Sequence, residues 1–343
     1  MTSFRAGLPG AGIYNCGFEK SPFYLPMRIL IVKTSSLGDV IHNLPVVSDI
    51  QRHFHGAVID WCVEESFAAI PRLHPGVADV VTVAVRRWRK QLFSGRTWRE
   101  IAACRRRLRA QPYDLVLDTQ GLLKSGLIAA QAPGVRCGYD AASIREPLAA
   151  RFYQRCFAVP QNAHAVVRNR LLAGAALGYT PDADPDYGIA AAPAAADWLP
   201  AKPYVVLLTA TSRDDKLWPE ERWRELGGQL QRQGCAAVLP AGNPLERERA
   251  ARLAAGIPGA VAAPPLSIAE LAAVLAGARA AVGVDTGLTH LAVALQIPTV
   301  ALYTATDPGL TGVFGVGFHR NLGGKAQLPT VPAVLAELQA AGG

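Results

Sequence analysis

The chain has 343 residues, and half of them are hydrophobic, which excludes a disordered protein and favours two domains of ordinary size. No apolar run reaches the roughly 18–20 residues that a membrane-spanning helix needs. The net charge of +8 is unevenly placed: residues 27–180 carry 21 Lys and Arg against 11 acids, and residues 181–343 carry 12 against 15. An anionic partner of the first half is therefore expected: nucleic acid, a membrane surface or a phosphorylated ligand.

The N-terminal segment contains no long apolar core followed by a small-residue cleavage site, so it is not typical of a signal peptide. We expect residues 1–26 to be a disordered extension or a mis-assigned start, because Met27 opens the first clean strand. The six cysteines, at positions 16, 62, 104, 137, 156 and 235, form no C-x-x-C pair and are typical of reduced cytosolic thiols. The histidines of "HFH" at 53–55 are interpreted as surface residues rather than metal ligands.

Apolar strands alternate with helices along the rest of the chain. Strands are predicted at 28–33, 57–64, 79–85, 113–118, 134–139, 204–209, 235–240, 278–284 and 299–303. Helices are predicted at 97–111, 163–177, 219–233, 245–255 and 267–277. This alternation predicts an α/β protein with parallel sheets covered on both faces.

A stretch rich in Pro, Ala and Asp divides the two series of strands and predicts a linker over residues 181–203. Two Rossmann-like domains, at 27–180 and 204–328, would then present their strand ends to each other across a cleft. A final helix within residues 329–343 is a candidate to pack back on the first half.

Two small-residue turns follow strands of the first half. In "TSSLGD" (34–39), Asp39 is either a helix N-cap, which spacing alone favours, or a general base at the cleft. In "DTQGLLKSG" (118–126), Gln120 and Lys124 either bind a polyhydroxylated ligand or belong to an ordinary capped turn, and both interpretations stay open.

Two basic runs account for much of the positive charge. The run "RRWRK" (86–90) follows a strand, so it lies at the carboxyl edge of the predicted sheet, where ligands bind in open parallel sheets. The run "CRRRLR" (104–109) is better interpreted as a solvated helix face.

In the second half, the strand at 204–209 runs into hydroxyl groups and an ammonium, from Thr209 to Lys216, which suit a phosphate at a helix N-terminus. Asp214 and Asp215 argue against a purely anionic site, unless they face solvent or pair with Arg213. Glu246, after the next strand, is either an acceptor for a ribose or base hydroxyl or an ordinary first-turn acid.

The stretch "VGVDTGLTHLAVAL" (282–295) places Thr286 and Gly287 at the start of a helix, where backbone N–H groups and the helix dipole favour an anion. His290 lies one turn later on the same face as Thr286. With a second hydroxyl-rich turn in the same sheet, this pattern predicts a diphosphate-binding site.

These segments, together with "MRILIVKTSSLGDVIHNLPV", "REPLA" and "TSRDDKLWPEERWREL", resemble the lipopolysaccharide heptosyltransferases of glycosyltransferase family 9. The resemblance runs from Met27 to about Gly315. It implies a GT-B fold and an inverting transfer of heptose from ADP-L-glycero-β-D-manno-heptose to the first Kdo of Kdo2-lipid A. It also implies a peripheral enzyme on the cytoplasmic face of a Gram-negative inner membrane, held at the anionic surface by its basic half.

The resemblance assigns a role to each matching residue, with Asp39 as the catalytic base. The donor pocket it implies consists of Thr211, Ser212, Lys216, Glu246, Asp285, Thr286, Gly287 and His290. The acceptor side it implies consists of Ser35, Ser36, Arg86, Arg87, Arg89, Lys90, Gln120, Lys124 and Arg145. No cofactor or metal is expected, since the D-x-D string at 184–186 is interpreted as surface acid.

Other functions are less consistent with the sequence. A nucleic-acid-binding protein would explain the basic half, but no helix-turn-helix or RRM signature is present and the loops would lack a role. An NAD-dependent enzyme would need G-x-G-x-x-G after the first strand. A family 9 enzyme with another core acceptor would share the donor pocket without needing "RRWRK", and a non-catalytic peripheral membrane protein would tolerate the loss of Asp39.

Overall fold

The computed structural model of the protein describes residues 26–342, and residues 1–25 and Gly343 lie outside it. The expected extension over residues 1–26, with Cys16, therefore falls almost wholly outside the described residues. Within them, two parallel six-stranded sheets are present, which confirms the predicted α/β class.

The first domain contains one of these sheets and the helices on its two faces. Its strands are β1 (Arg28–Val32), β2 (Val58–Glu64), β3 (Val77–Val83), β4 (Leu115–Asp118), β5 (Val135–Tyr139) and β6 (Arg155–Phe157). Its helices are α1 (Leu37–Ile41), α2 (Leu44–His53), α3 (Ala69–Arg72), α4 (Val85–Trp88), α5 (Gly95–Arg109), α6 (Leu123–Ala129) and α7 (Ala165–Leu177). The strand order is β3-β2-β1-β4-β5-β6, so the turns after the central strands β1 and β4 lie side by side.

The second domain repeats this plan. Its strands are β7 (Tyr204–Leu208), β8 (Ala236–Leu239), β9 (Val261–Ala262), β10 (Ala280–Val284), β11 (Thr299–Tyr303) and β12 (His319–Gly323). Its helices are α8 (Glu220–Arg232), α9 (Pro244–Ala255), α10 (Ile268–Ala276), α11 (Gly287–Ala294), α12 (Pro308–Thr311) and α13 (Val331–Ala341). The order β12-β11-β10-β7-β8-β9 places the turns after β7 and β10 next to each other.

The central strands are buried on both faces, as near-continuous apolar runs require. In β1, Ile29 and Ile31 join the core cluster on one face of the sheet, and Leu30 and Val32 join the cluster on the other. The nine predicted strands are all present. The strands β6, β9 and β12 were not predicted because they are short or polar edge strands without an apolar run.

The prediction that the last helix packs back on the first half is wrong. Helix α13 packs on α8 and β11, and Val331 and Val334 are buried in the second domain's own core. Arg320 of β12 also forms an ion pair with Glu337 on this helix, at 3.2 Å. The apolar face of α13 therefore closes the second sheet.

The segment between Leu177 and Tyr204 contains no helix or strand, and it contacts both domains. Arg52 of the first domain pairs with Asp182 at 2.5 Å. The Tyr187 hydroxyl donates to the carbonyl of Phe314 in the second domain at 2.5 Å. These contacts attach the connection to each domain along its length.

Candidate active site

The two domains meet where the N-terminal end of α1 faces the N-terminal end of α11. A Cβ on Gly38 would lie 3.2 Å from His290, and a Cβ on Gly287 would lie 2.6 Å from the Leu37 side chain. The second distance is too short for any side chain, so glycine at 287 permits this close approach. The turns after β1 and β10, in which sequence reasoning placed Asp39 and Thr286, are thereby brought together.

Asp39 is half-buried at the third position of α1. Its Oδ2 accepts hydrogen bonds from the Ser36 N–H at 2.7 Å and the Ser36 hydroxyl at 2.9 Å. Ser36 is the N-cap and Asp39 closes a capping box from inside the helix, so the interpretation of Asp39 as the N-cap is wrong. Among residues 26–342 nothing donates to Oδ1, which leaves one carboxylate oxygen for a ligand.

Three predicted acceptor-side residues come together beside this carboxylate. Gln120 Oε1 accepts from the backbone N–H groups of Thr34 and Ser35, both at 3.0 Å. Lys124 Nζ donates to the Ser35 hydroxyl at 2.7 Å. Burial lowers the pKa of Lys124, and the nearby cations Arg86 and Arg89 lower it further. The turns after β1 and β4 therefore form one polar floor with a cation in it.

The basic side chains of "RRWRK" (86–90) make different contacts. Arg87 pairs with Glu65 at 3.0 Å and with Glu100 at 2.8 Å, so it holds α4 to its neighbours rather than facing the cleft. Arg86 lies over the Phe67 ring at 5.2 Å, and its backbone N–H donates to Glu64. The remaining predicted cations of this side are exposed and have no ion pair within the described residues: Arg89, Lys90 and Arg145.

A buried lysine that sequence reasoning missed lies under the same floor. Lys33 Nζ donates to the Thr119 carbonyl at 2.8 Å and to Asn169 Oδ1 at 3.4 Å. Burial lowers its pKa, while the carboxylates of Asp39 and Asp118 act in the opposite direction. The signal was present in "VKTSS", because a lysine at the end of a buried strand requires polar partners.

On the donor side, Asp285 connects the loops after three strands. Its Oδ2 lies 2.7 Å from Lys216 Nζ and accepts from the Thr306 hydroxyl at 2.7 Å. Its carbonyl accepts from the Thr211 hydroxyl at 3.0 Å. The predicted group of Thr211, Lys216 and Asp285 is thus assembled, and Thr306 is an addition that the sequence pattern did not indicate.

The start of α11 lies beside this group. Thr286 is the N-cap of α11, and its side chain makes no capping hydrogen bond. The first N–H groups of a helix have no partner within the helix, and they point outward from its N-terminus. Ser212 is exposed in the neighbouring turn, while Arg213 pairs with Asp215 and Asp214 faces solvent, so the acids do not oppose an anion here.

Glu246 lies in the first turn of α9 and stabilises the turn that precedes this helix. Its Oε2 accepts from the Gly242 N–H at 2.8 Å, and its Oε1 accepts from the Asn243 side chain at 2.7 Å. Asn243 in turn caps α9 by accepting from the Glu246 N–H at 2.9 Å. Both carboxylate oxygens therefore stabilise this turn, and acceptance of a donor hydroxyl by Glu246 stays a prediction.

His290 meets two histidines of the first domain beneath the junction. Its Nδ1 lies 3.0 Å from His42 Nε2, and the His42 ring lies 5.4 Å from the His164 ring. Burial lowers the pKa of His290 to about 4 and lowers that of His42 well below 6.5. Both rings are therefore neutral near pH 7, and one must donate to the other.

The positions of the protons on the His42 and His290 rings follow from the hydrogen-bond partners of the ring nitrogens. His42 Nδ1 is buried with no hydrogen-bond partner among the described residues, and an unpaired acceptor there costs less than an unpaired N–H. His42 therefore donates from Nε2 to His290 Nδ1. This leaves His290 with its proton on Nε2, on the edge of the ring that lies against Gly38.

Residues 26–342 contain no group of three or more His, Cys, Asp or Glu side chains arranged to hold a metal ion. The histidines at 53 and 55 are exposed, as predicted. Over the same residues, no helix combines the length and the apolar character that a membrane span requires.

Comparison with known proteins identifies relatives over most of the chain. Residues 101–339 match the family described as Glycosyltransferase family 9 (heptosyltransferase). The chain is 50% identical to lipopolysaccharide heptosyltransferase 1 of Pseudomonas aeruginosa PAO1 over 291 residues, which is 84% of this chain and 82% of that protein. Heptosyltransferase WaaC of E. coli with ADP has a TM-score of 0.84 and 45% identity, covering 92% of this chain and 100% of that one. The same enzyme with ADP-2-deoxy-2-fluoro heptose has a TM-score of 0.82 and 44% identity, covering 92% and 99%.

Proposed function

The chain belongs to glycosyltransferase family 9, and from this premise we propose that it transfers heptose from ADP-heptose to the inner core of lipopolysaccharide. We propose ADP-L-glycero-β-D-manno-heptose as the donor and the first Kdo of Kdo2-lipid A as the acceptor. The observation that supports the proposal most is the meeting of α1, the helix of Asp39, with the N-terminal end of α11.

The donor diphosphate would lie at the N-terminus of α11. The dipole of a helix contributes roughly half a positive charge there, and backbone N–H groups are donors that need no reorganisation. Lys216 adds a full positive charge, held in place by Asp285 at 2.7 Å. The exposed Ser212 hydroxyl and the Nε2–H of His290 add hydrogen-bond donors, and Thr211 positions Asp285 through the bond to its carbonyl. As the bond to the sugar breaks, negative charge grows on the diphosphate, so these groups stabilise the transition state more than the bound donor.

Asp39 is proposed as the general base. Its Oδ1 takes the proton of a Kdo hydroxyl while that oxygen forms a bond to the anomeric carbon of heptose. The bond from this carbon to the phosphate oxygen breaks on the opposite face, and ADP leaves with the electron pair. General-base catalysis of this kind contributes about 10²–10⁴ in rate. Ser36 holds the other carboxylate oxygen, which fixes the direction of the base.

The acceptor is polyanionic, and the first domain offers cations for it. Lys124 lies in the polar floor beside Ser35, and Arg86 and Arg89 lie close enough to lower its pKa. We propose that these three bind the Kdo carboxylates and the lipid A phosphates. This arrangement suits an enzyme acting at the cytoplasmic face of the inner membrane, where such an acceptor would be presented.

The test is ADP release from ADP-heptose by the purified protein in EDTA, with and without Kdo2-lipid A from which the acyl chains have been removed. We expect release that depends on the acceptor and persists in EDTA, because Lys216 and α11 neutralise the leaving group without a metal. Donor binding without ADP release would indicate that the acceptor is one used by another family 9 enzyme. Failure to bind the donor would refute the proposed function.

A further inference from the structure

Six of the eleven large apolar side chains that are exposed within the described residues lie in one region of the first domain. The 3-10 turn at Pro147–Phe152 packs on α6, and side chains of α4, α5 and α6 share one buried cluster. The three helices therefore cover the same face of the sheet, and the 3-10 turn adjoins this face through its contact with α6. The six residues, called here the apolar patch, are Leu92, Phe93, Trp98, Leu123, Leu127 and Leu148.

The tip of the patch is held outward by hydrogen bonds. The indole N–H of Trp98 donates to the Leu92 carbonyl at 2.8 Å, and the Ser94 N–H donates to the Gln91 carbonyl at 3.0 Å. This turn leaves the Phe93 side chain fully exposed. Contiguous exposed apolar groups on a soluble domain mark a surface that is covered by a partner.

The residues around the patch are strongly basic. Residues 84–110 contain ten Lys and Arg and one acid, Glu100. Three of these cations are ion-paired, namely Arg87, Arg96 and Arg107. Within residues 26–342 no ion pair engages the other seven, which are Arg86, Arg89, Lys90, Arg99, Arg105, Arg106 and Arg109. A partner of this surface must therefore be both anionic and able to take up apolar side chains.

We propose that the apolar patch inserts into the headgroup region of an anionic lipid bilayer, with the unpaired cations other than Arg86 and Arg89 on the lipid phosphates. Aromatic and leucine side chains flanked by Lys and Arg are the composition that binds such an interface. A nucleic acid would account for the cations but would leave Leu92, Phe93 and the α6 leucines in water.

The position of the apolar patch relative to the cleft supports an orientation of the protein in which the cleft faces the membrane surface. Helix α6 carries Leu123 and Leu127 outward, while Lys124 on the same helix reaches Ser35 in the polar floor. Insertion of the patch would therefore bring the cleft to the membrane surface. This role in presenting a lipid-linked acceptor rests on the proposed function, whereas the binding to lipid does not.

The experiment is co-sedimentation of the full chain with phosphatidylcholine vesicles, with and without phosphatidylglycerol. We compare the wild type with a Leu92→Ser/Phe93→Ser variant, and use Leu245→Ser, an exposed leucine of the second domain, as the matched control. Partitioning of the double variant onto anionic vesicles should fall by about a hundredfold or more, since each of the two buried apolar side chains contributes at least about tenfold. The control should bind as the wild type does.

The salt dependence of vesicle binding distinguishes insertion of apolar side chains from electrostatic attraction alone. In about 1 M salt, where the Debye length is about 3 Å, the wild type should keep part of its binding and the double variant should lose all of it. Equal partitioning of wild type and double variant would overturn the proposal. So would complete loss of wild-type binding in high salt, or binding to random DNA without binding to vesicles.

Turnover with the deacylated, water-soluble acceptor makes the two proposals independently testable. The double variant should turn this acceptor over at the wild-type rate and unfold at the wild-type temperature, because both side chains are exposed and outside the cleft. A wild type that binds vesicles but releases no ADP would contradict the proposed function, but it would not contradict the proposed lipid-binding surface.

Discussion

On the first-domain side of the cleft four cations have no ion pair within the described residues (Arg86, Arg89, Lys90 and Lys124), whereas on the second-domain side most charged groups are matched by neighbours. Arg89 and Lys90 have no ion pair within residues 26–342, and residues 27–180 carry ten more basic than acidic residues. Lys216 is paired with Asp285, Arg213 with Asp215, and Glu246 with its own turn.

This difference indicates two kinds of recognition. Unpaired cations attract a large anion over a distance, and such attraction is screened by salt. A matched, partly buried group recognises a ligand by geometry and hydrogen bonding, with less dependence on salt. Acceptor use and donor binding should therefore respond differently to substitution, salt and pH.

The largest effect is expected for the base at the boundary between the two sides. Asp39→Asn keeps an oxygen that can accept from Ser36, but it cannot take a proton from the acceptor. Turnover should fall by about 10²–10⁴, with donor affinity within a few-fold of the wild type. Steady-state rates and calorimetric titration with ADP-heptose measure the two quantities.

Asp214→Asn is the control for Asp39→Asn, because Asp214 is an exposed acid of the neighbouring domain. It should leave both turnover and donor affinity unchanged. Equal losses of turnover and donor affinity in Asp39→Asn would instead place Asp39 in donor binding or folding.

The second-domain side of the cleft, where the charged groups are paired, is tested next by Lys216→Met. Removing the ammonium takes a charged hydrogen-bond donor from the diphosphate and leaves Asp285 with only Thr306, so ADP affinity should fall by about 10–100-fold. Lys202→Met removes a lysine that donates only to Gln231 and should have no effect. Unchanged ADP affinity in Lys216→Met would remove this residue from the donor site.

The first-domain side of the cleft, where the cations have no ion pair, is tested by the double variant Arg86→Glu/Arg89→Glu. The KM for the deacylated acceptor should rise by about tenfold, because two solvent-screened attractions of about 0.3–0.4 kcal/mol each become repulsions of similar size, a total change of about 1.4 kcal/mol. ADP affinity should not change, and added salt should weaken acceptor use in the wild type more than in the variant. Arg105→Glu with Arg106→Glu serves as the control on α5. A parallel loss of ADP affinity would contradict the division of the cleft into two kinds of site.

The smallest effect is a pH dependence of stability from the histidines at the junction. Burial lowers the pKa of His290 in the folded protein from 6.5 to about 4, so the unfolded chain binds more protons between these values. The free energy of unfolding should therefore fall as the pH drops from about 6.5 towards 4. His290→Gln should reduce this slope in thermal unfolding.

The slope should not vanish in His290→Gln, because burial also lowers the pKa of His74 to about 4. His55→Gln is the control, since His55 is exposed and lies two residues beyond the end of α2. A slope that is the same in the wild type and His290→Gln would contradict a buried neutral His290.

The fold and the position of the polar turns at the cleft could be predicted from sequence because both depend on strong local patterns, whereas the roles of the residues in these turns came from the family resemblance. Buried apolar strands alternating with helices fix the two parallel sheets, and small polar turns at their carboxyl ends supply Asp39, Thr211, Lys216 and Asp285. Lys124 and Gln120 were found in the same way, although the sequence alone left their role open.

What could not be predicted depends on contacts between distant parts of the chain. The pairing of His42 with His290 spans 248 residues and arises only when the domains meet. Helix α13 gives no sequence signal for which domain its apolar face covers. The ion pairs that withdraw Arg87 from the cleft involve Glu65 and Glu100, which lie on other elements and show no local pattern.

The central claim is that Asp39 and the N-terminus of α11 act on opposite faces of one anomeric carbon. Proton NMR of the product made from the β-linked ADP-heptose donor tests this directly, because displacement from the opposite face inverts the configuration. We expect an α-linked heptose in the product. A β-linked product would show that the configuration is retained, and would contradict a direct attack by an acceptor activated by Asp39.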